Sequence, residues 1–177
     1  MDVNITGVSV YSVTNWTPPA GPLVENGEFS TGCFSPWVTA ATYTPIGANF
    51  NNSNIFYEVI PCGNDCKSSS KYYVHFTYIN TINGPVRANA IFNMQTNPAI
   101  IPGMEYTLSV WIKGNGGILQ LFDATSYSFN NTYQSTGAWE HVSFIFAPDP
   151  NFLLWFEVSD TSLVDWYVDD VQVVANS

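Results

Sequence analysis

The rhythm of the apolar residues constrains this chain most. Short runs rich in Val, Ile, Phe, Tyr, Trp and Thr are separated by clusters of Gly, Pro and Asn. Inside the runs apolar and polar side chains alternate one for one, as in an extended strand with one face buried. Tyr106, Leu108, Val110 and Ile112 fall on one face, and Thr107, Ser109, Trp111 and Lys113 on the other. Tyr72, Val74 and Phe76 oppose Tyr73, His75 and Thr77. Leu154, Phe156 and Val158 oppose Trp155 and Glu157, and Leu119 and Leu121 flank Gln120. Strands are predicted over 5–13, 23–29, 37–44, 55–60, 72–78, 87–95, 105–113, 118–123, 139–147, 152–159 and 166–174, with Asn115-Gly116-Gly117 as a hairpin turn. No segment has a convincing helical period. Short strands at regular spacing specify an all-β protein, a two-sheet antiparallel β-sandwich.

The 177 residues suit one domain, with residues 1–21 as an N-terminal arm or extra strand and 22–177 as the sandwich. Only 4 residues are Lys or Arg against 14 Asp or Glu, a net charge of −10. That balance excludes nucleic acid and anionic membrane surfaces as partners, since both are bound through clustered cations. No apolar run reaches the roughly 18 residues of a membrane span. Residues 1–10 lack the basic and apolar regions of a signal peptide, which leaves a cytosolic protein or one whose signal has been removed. Sequons at Asn4, Asn15, Asn51 and Asn130 and the scarcity of Lys favour an extracellular glycoprotein. Cys62-Gly-Asn-Asp-Cys66 has the spacing of a tight disulfide loop or of plain thiols, and leaves Cys33 odd, either buried or available to join two molecules.

Catalytic motifs are missing. His75 and His141 are the only histidines, both sit in predicted strands, and neither has a nucleophile motif beside it. The carboxylates that keep a small glycan hydrolase or lyase open are Glu157 and Asp123. Asp165, Asp169 and Asp170 crowd together near the C-terminus. Hard oxygen donors of this kind suit calcium, and equally suit capping of a strand end by accepting backbone N–H bonds. The aromatic content, 16%, exceeds what one core consumes, and several rings fall on polar faces. Aromatic rings beside amides suit a sugar, whose C–H face packs on the ring while its hydroxyls meet polar neighbours. Alternation selects Tyr73, Arg87, Asn89, Trp111, Gln120 and Trp155 as carbohydrate-contact residues. The expected function is non-catalytic binding of a polysaccharide or glycan. A structural or adhesive subunit, self-associating through the arm or Cys33, is the alternative.

Four segments in order carry a resemblance. Leu23-Val24-Glu25-Asn26-Gly27-Glu28-Phe29 with Ser35-Pro36-Trp37 is similar to the opening of jelly-roll carbohydrate-binding modules. Gly103-Met104-Glu105-Tyr106-Thr107-Leu108-Ser109-Val110-Trp111-Ile112-Lys113, then Gly137-Ala138-Trp139-Glu140-His141-Val142, and finally Tyr167-Val168-Asp169-Asp170-Val171 resemble later strands of the same modules. The likeness is to families 4, 9, 16 and 22 of this galactose-binding-domain-like superfamily. The Cys62 to Cys66 insertion most resembles secreted fungal domains. The resemblance implies a jelly roll that binds polysaccharide without catalysis, and a structural Ca²⁺ held by Asp169. The chain departs from the pattern at Ser30, where the modules carry an acidic residue.

Overall fold

The computed structural model describes residues 23–44, 55–78, 87–95, 101, 103–149, 153–159 and 164–176. The N-terminal arm, the predicted strand over 5–13 and the sequons at Asn4, Asn15 and Asn51 lie outside the described residues. Ten strands are present: β1 Val38–Thr44, β2 Ile55–Pro61, β3 Tyr72–Tyr78, β4 Arg87–Gln95, β5 Tyr106–Asn115, β6 Ile118–Asp123, β7 Asn130–Gln134, β8 Glu140–Phe146, β9 Leu153–Ser159 and β10 Val164–Ala175. They form two five-stranded antiparallel sheets. Sheet A runs β1-β4-β9-β6-β7 and sheet B runs β2-β3-β10-β5-β8. This is the all-β sandwich expected from the alternation. Among the described residues there is no helix, and none long and apolar enough to cross a membrane.

The core lies between the inner faces. Sheet B contributes Val74, Phe76, Leu108, Val110, Ile112, Val168 and Val173, and sheet A contributes Leu119, Leu121, Leu154 and Phe156, all buried. Each such side chain contributes about 1.5–3 kcal/mol by leaving water. The predicted inward set of β5 is buried without exception, and Trp111 and Lys113 stand on the outer face.

Three expectations need correction. Residues 23–29 are a string of turns rather than a strand. Asn26 and Phe29 adopt left-handed φ values of 50° and 53°, incompatible with extended backbone. The segment is nevertheless core: Phe29 is buried, and its ring lies 5.7 Å from Trp37. The Trp37 indole N–H donates to the carbonyls of Glu25 and Asn26, at 3.1 and 3.2 Å. Second, Asn115-Gly116-Gly117 does not close a hairpin. β5 belongs to sheet B and β6 to sheet A, so the turn carries the chain across the sandwich. Gly116 and Gly117 have φ of 75° and 67°, the left-handed conformation this corner needs. Third, β7 escaped prediction because Asn130, Asn131, Thr132 and Gln134 are polar. It is an edge strand paired only with β6.

β10 carries a bulge. Asp169 opposes Trp111 and Gln172 opposes Ser109, so β10 has one residue more than β5 between these pairs. The extra residue resets the parity: Trp166 and Val168 point inward before it, Val171 and Val173 after it. Asp170 takes φ of 53° at this point. The freed N–H of Val171 donates to Gly27 O at 3.0 Å, and Leu23 N–H donates to Val173 O at 2.7 Å. The bulge thereby docks the turns of residues 23–37 onto the sandwich. A Cβ on Gly27 would lie 1.9 Å from the Val171 carbonyl oxygen. Gly27→Ala is therefore expected to destabilise the fold by about 2 kcal/mol or more, the range of a forced clash in a packed region, with a lowered urea midpoint and unchanged m-value as the readout.

Candidate functional site

The two sheets expose two outer faces on opposite sides of the sandwich, and they divide the six predicted sugar-contact residues. Tyr73 on β3 and Trp111 on β5 stand on sheet B. Arg87 and Asn89 on β4, Gln120 on β6 and Trp155 on β9 belong to sheet A. The six therefore do not converge on one surface. Alternation reports which side of a strand a residue occupies, but not which sheet the strand joins. Arg87 and Asn89 are placed by register alone, opposite Thr44 and Thr42 of β1.

On sheet A, β6 and β9 put Phe122 directly opposite Trp155. Their rings meet edge to face at 5.4 Å, and the Tyr127 ring stacks on Phe122 at 6.3 Å and 11°. Phe122 is buried beneath them, Trp155 is half-buried, and Tyr127 is 68% exposed. The Trp155 indole N–H is covered and has no acceptor among the described residues. Beside these rings the Gln120 amide donates to Asn130 Oδ1 at 2.6 Å. Asn130 is exposed, so its sequon is accessible on this face. Tyr127 and Phe122 escaped the sequence reading. Tyr127 sits in a loop with φ of 52°, where alternation says nothing, whereas the alternation of Leu119, Gln120 and Leu121 continued one residue further places Phe122 on the outer face with Gln120.

Asp123, a candidate catalytic carboxylate, is fully buried. Burial alone would push its carboxyl up. Ser126 Oγ, the Thr125 N–H, Ser128 Oγ and the Leu153 N–H all donate to it, and together they hold it below its ordinary value. Its contacts join the β6–β7 loop to β9, a structural role out of reach of a polysaccharide. The Glu157 side chain lies outside the described atoms.

On sheet B the outer face carries two groups of rings. His75 and Tyr167 stack at 4.6 Å and 7°, and Tyr73 meets Tyr167 at 5.1 Å and Trp139 at 5.9 Å. Trp111 meets His141 at 4.8 Å. At the β3–β10 end His75 Nε2 lies 2.5 Å from Asp165 Oδ1 and 2.9 Å from Thr77 Oγ1, and Nδ1 lies 3.5 Å from Glu58. Burial, followed by the Asp165 carboxylate, pushes the Tyr167 phenol up to about 12. Burial and then Asp65 raise Tyr73. Both phenols therefore remain neutral donors at ordinary pH.

Cys62 and Cys66 form a disulfide, with Cα atoms 5.1 Å apart, and Cys33 is free and exposed. The loop that follows crosses the sheet B face. Lys67 N–H and Ser68 N–H donate to Asp169 Oδ2, at 2.8 and 3.1 Å. Asp169 is completely buried. Asp170 accepts from Gln172, at 2.6 Å, and Asp165 faces His75. Among the described residues no three His, Cys, Asp or Glu side chains converge. Asp169 thus accepts backbone N–H bonds through Oδ2 and leaves a buried Oδ1 without a partner among the described residues.

No family model matches the chain, and no curated protein matches it in sequence. Solved structures do. TmCBM61 in complex with β-1,4-galactotriose superposes with a TM-score of 0.62 at 16% identity, over 88% of this chain and 99% of that one. The enzymatically active domain of bacteriophage CBA120 tailspike protein 4 gives 0.65 at 14% identity, over 88% of this chain and 21% of that one. The CBM22-1 xylan-binding domain of Paenibacillus barcinonensis Xyn10C gives 0.51 at 10% identity, over 84% and 91%.

The Asp123 cluster yields a pH prediction. A carboxyl held below its ordinary value of 3.8 in the fold stabilises the protein above that value, and the contribution is lost as pH falls through the lower folded value. Asp123→Ala is expected to cost about 3 kcal/mol at pH 7, from hydrogen bonds to a charged acceptor left unmade. The loss should shrink in thermal melts below pH 4. These geometries and likenesses together establish that the chain has the jelly-roll fold of the carbohydrate-binding modules.

Proposed function

We propose that the protein is an extracellular carbohydrate-binding module that binds polysaccharide without catalysis, through the outer face of sheet A around Trp155, Tyr127 and Gln120. One observation carries this reading: an exposed Tyr127 ring and a half-buried Trp155 ring both pack on Phe122, beside the Gln120–Asn130 amide pair. A pyranose offers C–H groups to such rings and hydroxyls to such amides. Arg87 and Asn89, on β4 beside the β9 strand of Trp155, extend the same sheet. The galactotriose complex and the xylan-binding domain lend support through their shared fold. The tailspike domain carries the fold within a much longer chain, so a role as one part of a larger enzyme is compatible with this reading. The Cys62–Cys66 disulfide supports an oxidising, extracellular setting.

Self-assembly is the second reading, and the exposed thiol of Cys33 is the observation that favours it. A Cys33→Ser variant that abolishes a dimer seen under oxidising conditions would support it.

The test is calorimetric titration with β-1,4-galactan, xylan and glucan oligosaccharides. Tyr127→Ala and Trp155→Ala are each expected to weaken binding about tenfold, the ~1.4 kcal/mol of a stacked ring. Tyr127, exposed, should leave the melting temperature unchanged. Binding that survives both substitutions would remove sheet A as the site. An N-linked glycan at Asn130 would stand on the same face, so enzymatic deglycosylation should strengthen binding if that sequon is used.

A further inference from the structure

The outer face of sheet B has a different chemistry from that of sheet A. Only four residues in the chain carry a permanent positive charge, and two of them, Lys67 and Lys113, stand over the rings of this face. Lys113 Nζ lies 5.7 Å from the Trp139 ring centroid and 5.5 Å from that of Tyr167, and is held by Asp65 at 2.8 Å. That ion pair lowers the Asp65 carboxyl. Lys67 Nζ lies 5.7 Å from the Trp111 centroid and 5.8 Å from that of Trp139. Lys67 is exposed, and among the described residues no carboxylate lies within 4 Å of its ammonium.

The backbone beneath Lys67 is fixed on both sides. The disulfide closes the loop before it, and Asp169 receives the N–H groups of Lys67 and Ser68. The fixed backbone thus presents an exposed ammonium between two tryptophan rings, close enough to Asp65 to help lower its carboxyl. Preorganisation of this kind lowers the ordering cost of binding. The face also has a polarity. The carboxylates Glu58 on β2 and Asp165 on β10 face His75 at one end, and Lys67 lies with Trp111, Trp139 and exposed His141 at the β5–β8 side, where Asp65 offsets the charge of Lys113.

We propose that the Trp111–Trp139–Lys67 surface is a second saccharide site, distinct from the sheet A face, that takes an acidic sugar bearing a carboxylate or sulfate. Such a sugar presents an apolar C–H face to Trp111 and an anionic group to Lys67. A neutral sugar would have to displace the ammonium from the rings with no compensating ion pair. Charge complementarity makes the site selective: elsewhere the chain, at −10 overall, repels a polyanion. Lys113, already bound to Asp65, positions Trp139 and Tyr167 and does not compete for the ligand.

The full chain is titrated with tetragalacturonate, a chondroitin sulfate tetrasaccharide and neutral galactotetraose. At least one acidic oligosaccharide should bind, and the two acidic arms tell carboxylate from sulfate recognition. Lys67→Met keeps the side-chain stem and removes the charge, and is expected to weaken that binding at least about fivefold, as loss of a desolvated cation contact would. Trp111→Ala should weaken it at least about tenfold, while Trp155→Ala leaves it unchanged. Raising salt from about 50 to 500 mM should weaken wild-type binding and leave the Lys67→Met variant nearly unaffected. If Trp111→Ala does not fold, Lys67→Met and the salt series still decide. The proposal is overturned if the folded wild type binds neither acidic oligosaccharide, if Lys67→Met binds as tightly as wild type, or if Trp155→Ala alone abolishes the binding. Failure here with Trp155-dependent binding of a neutral glycan leaves the sheet A reading standing.

Discussion

The irregular stretch of β10 from Asp169 to Val171 is the constraint on which the turns sealing the core and the sheet B surface depend. A bulge leaves a strand with backbone groups turned away from its partner. Here the turned N–H of Val171 is taken by Gly27, and Asp169 on the other side of the strand takes two N–H groups of the loop over sheet B. One irregularity thereby anchors the turns that seal one end of the core with Phe29 and Trp37. The same irregularity anchors the disulfide-clipped loop that brings Lys67 over Trp111. A carboxylate buried as completely as Asp169 is costly unless hydrogen-bonded, so the loop is held where its N–H donors are required.

The sandwich then sorts polar chemistry by sheet. Around Trp155 sheet A carries amides and neutral rings, with Gln120 bonded to Asn130 and Tyr127 riding on Phe122, and it also holds Arg87 on β4 and Glu157 on β9. Sheet B carries charges set against rings. Its phenols, Tyr73 and Tyr167, are kept protonated by burial and by neighbouring carboxylates, so they remain donors beside two ammonium groups. A chain with four cations out of 177 residues cannot use them for general solubility. Concentrating two of them on one ring cluster gives that face a character the remainder of the surface lacks.

Much of this architecture was legible in the residues. Period two placed Leu108, Val110 and Ile112 inside and Trp111 and Lys113 outside, because a strand with one buried face admits no other pattern. The parity change between Val168 and Val171 was also present in the sequence as an unread trace of the bulge. The turns at residues 23–29 read falsely as a strand because Leu23, Val24 and Phe29 are buried by tertiary contacts rather than by a pleat. β7 was invisible because an edge strand needs few apolar residues, and its Tyr133 alone packs against the core. Asp123 read as an available carboxylate although Thr125, Ser126 and Ser128, three of its four donors, lie within five residues of it; only the Leu153 N–H is brought from far along the chain.

The sequence by itself determined the fold class, the side of each strand on which a ring or amide stands, and the scarcity of positive charge. These are local or additive properties, set by alternation and composition. Only the tertiary structure decided which strands share a sheet, and so separated Tyr73 and Trp111 from Gln120 and Trp155. It alone turned Asp169 into a backbone acceptor and set Lys67 between two indoles. Strand pairing in a jelly roll joins segments far apart in the chain, such as β3 with β10. The register that makes a site is therefore written in long-range contacts that no local pattern encodes.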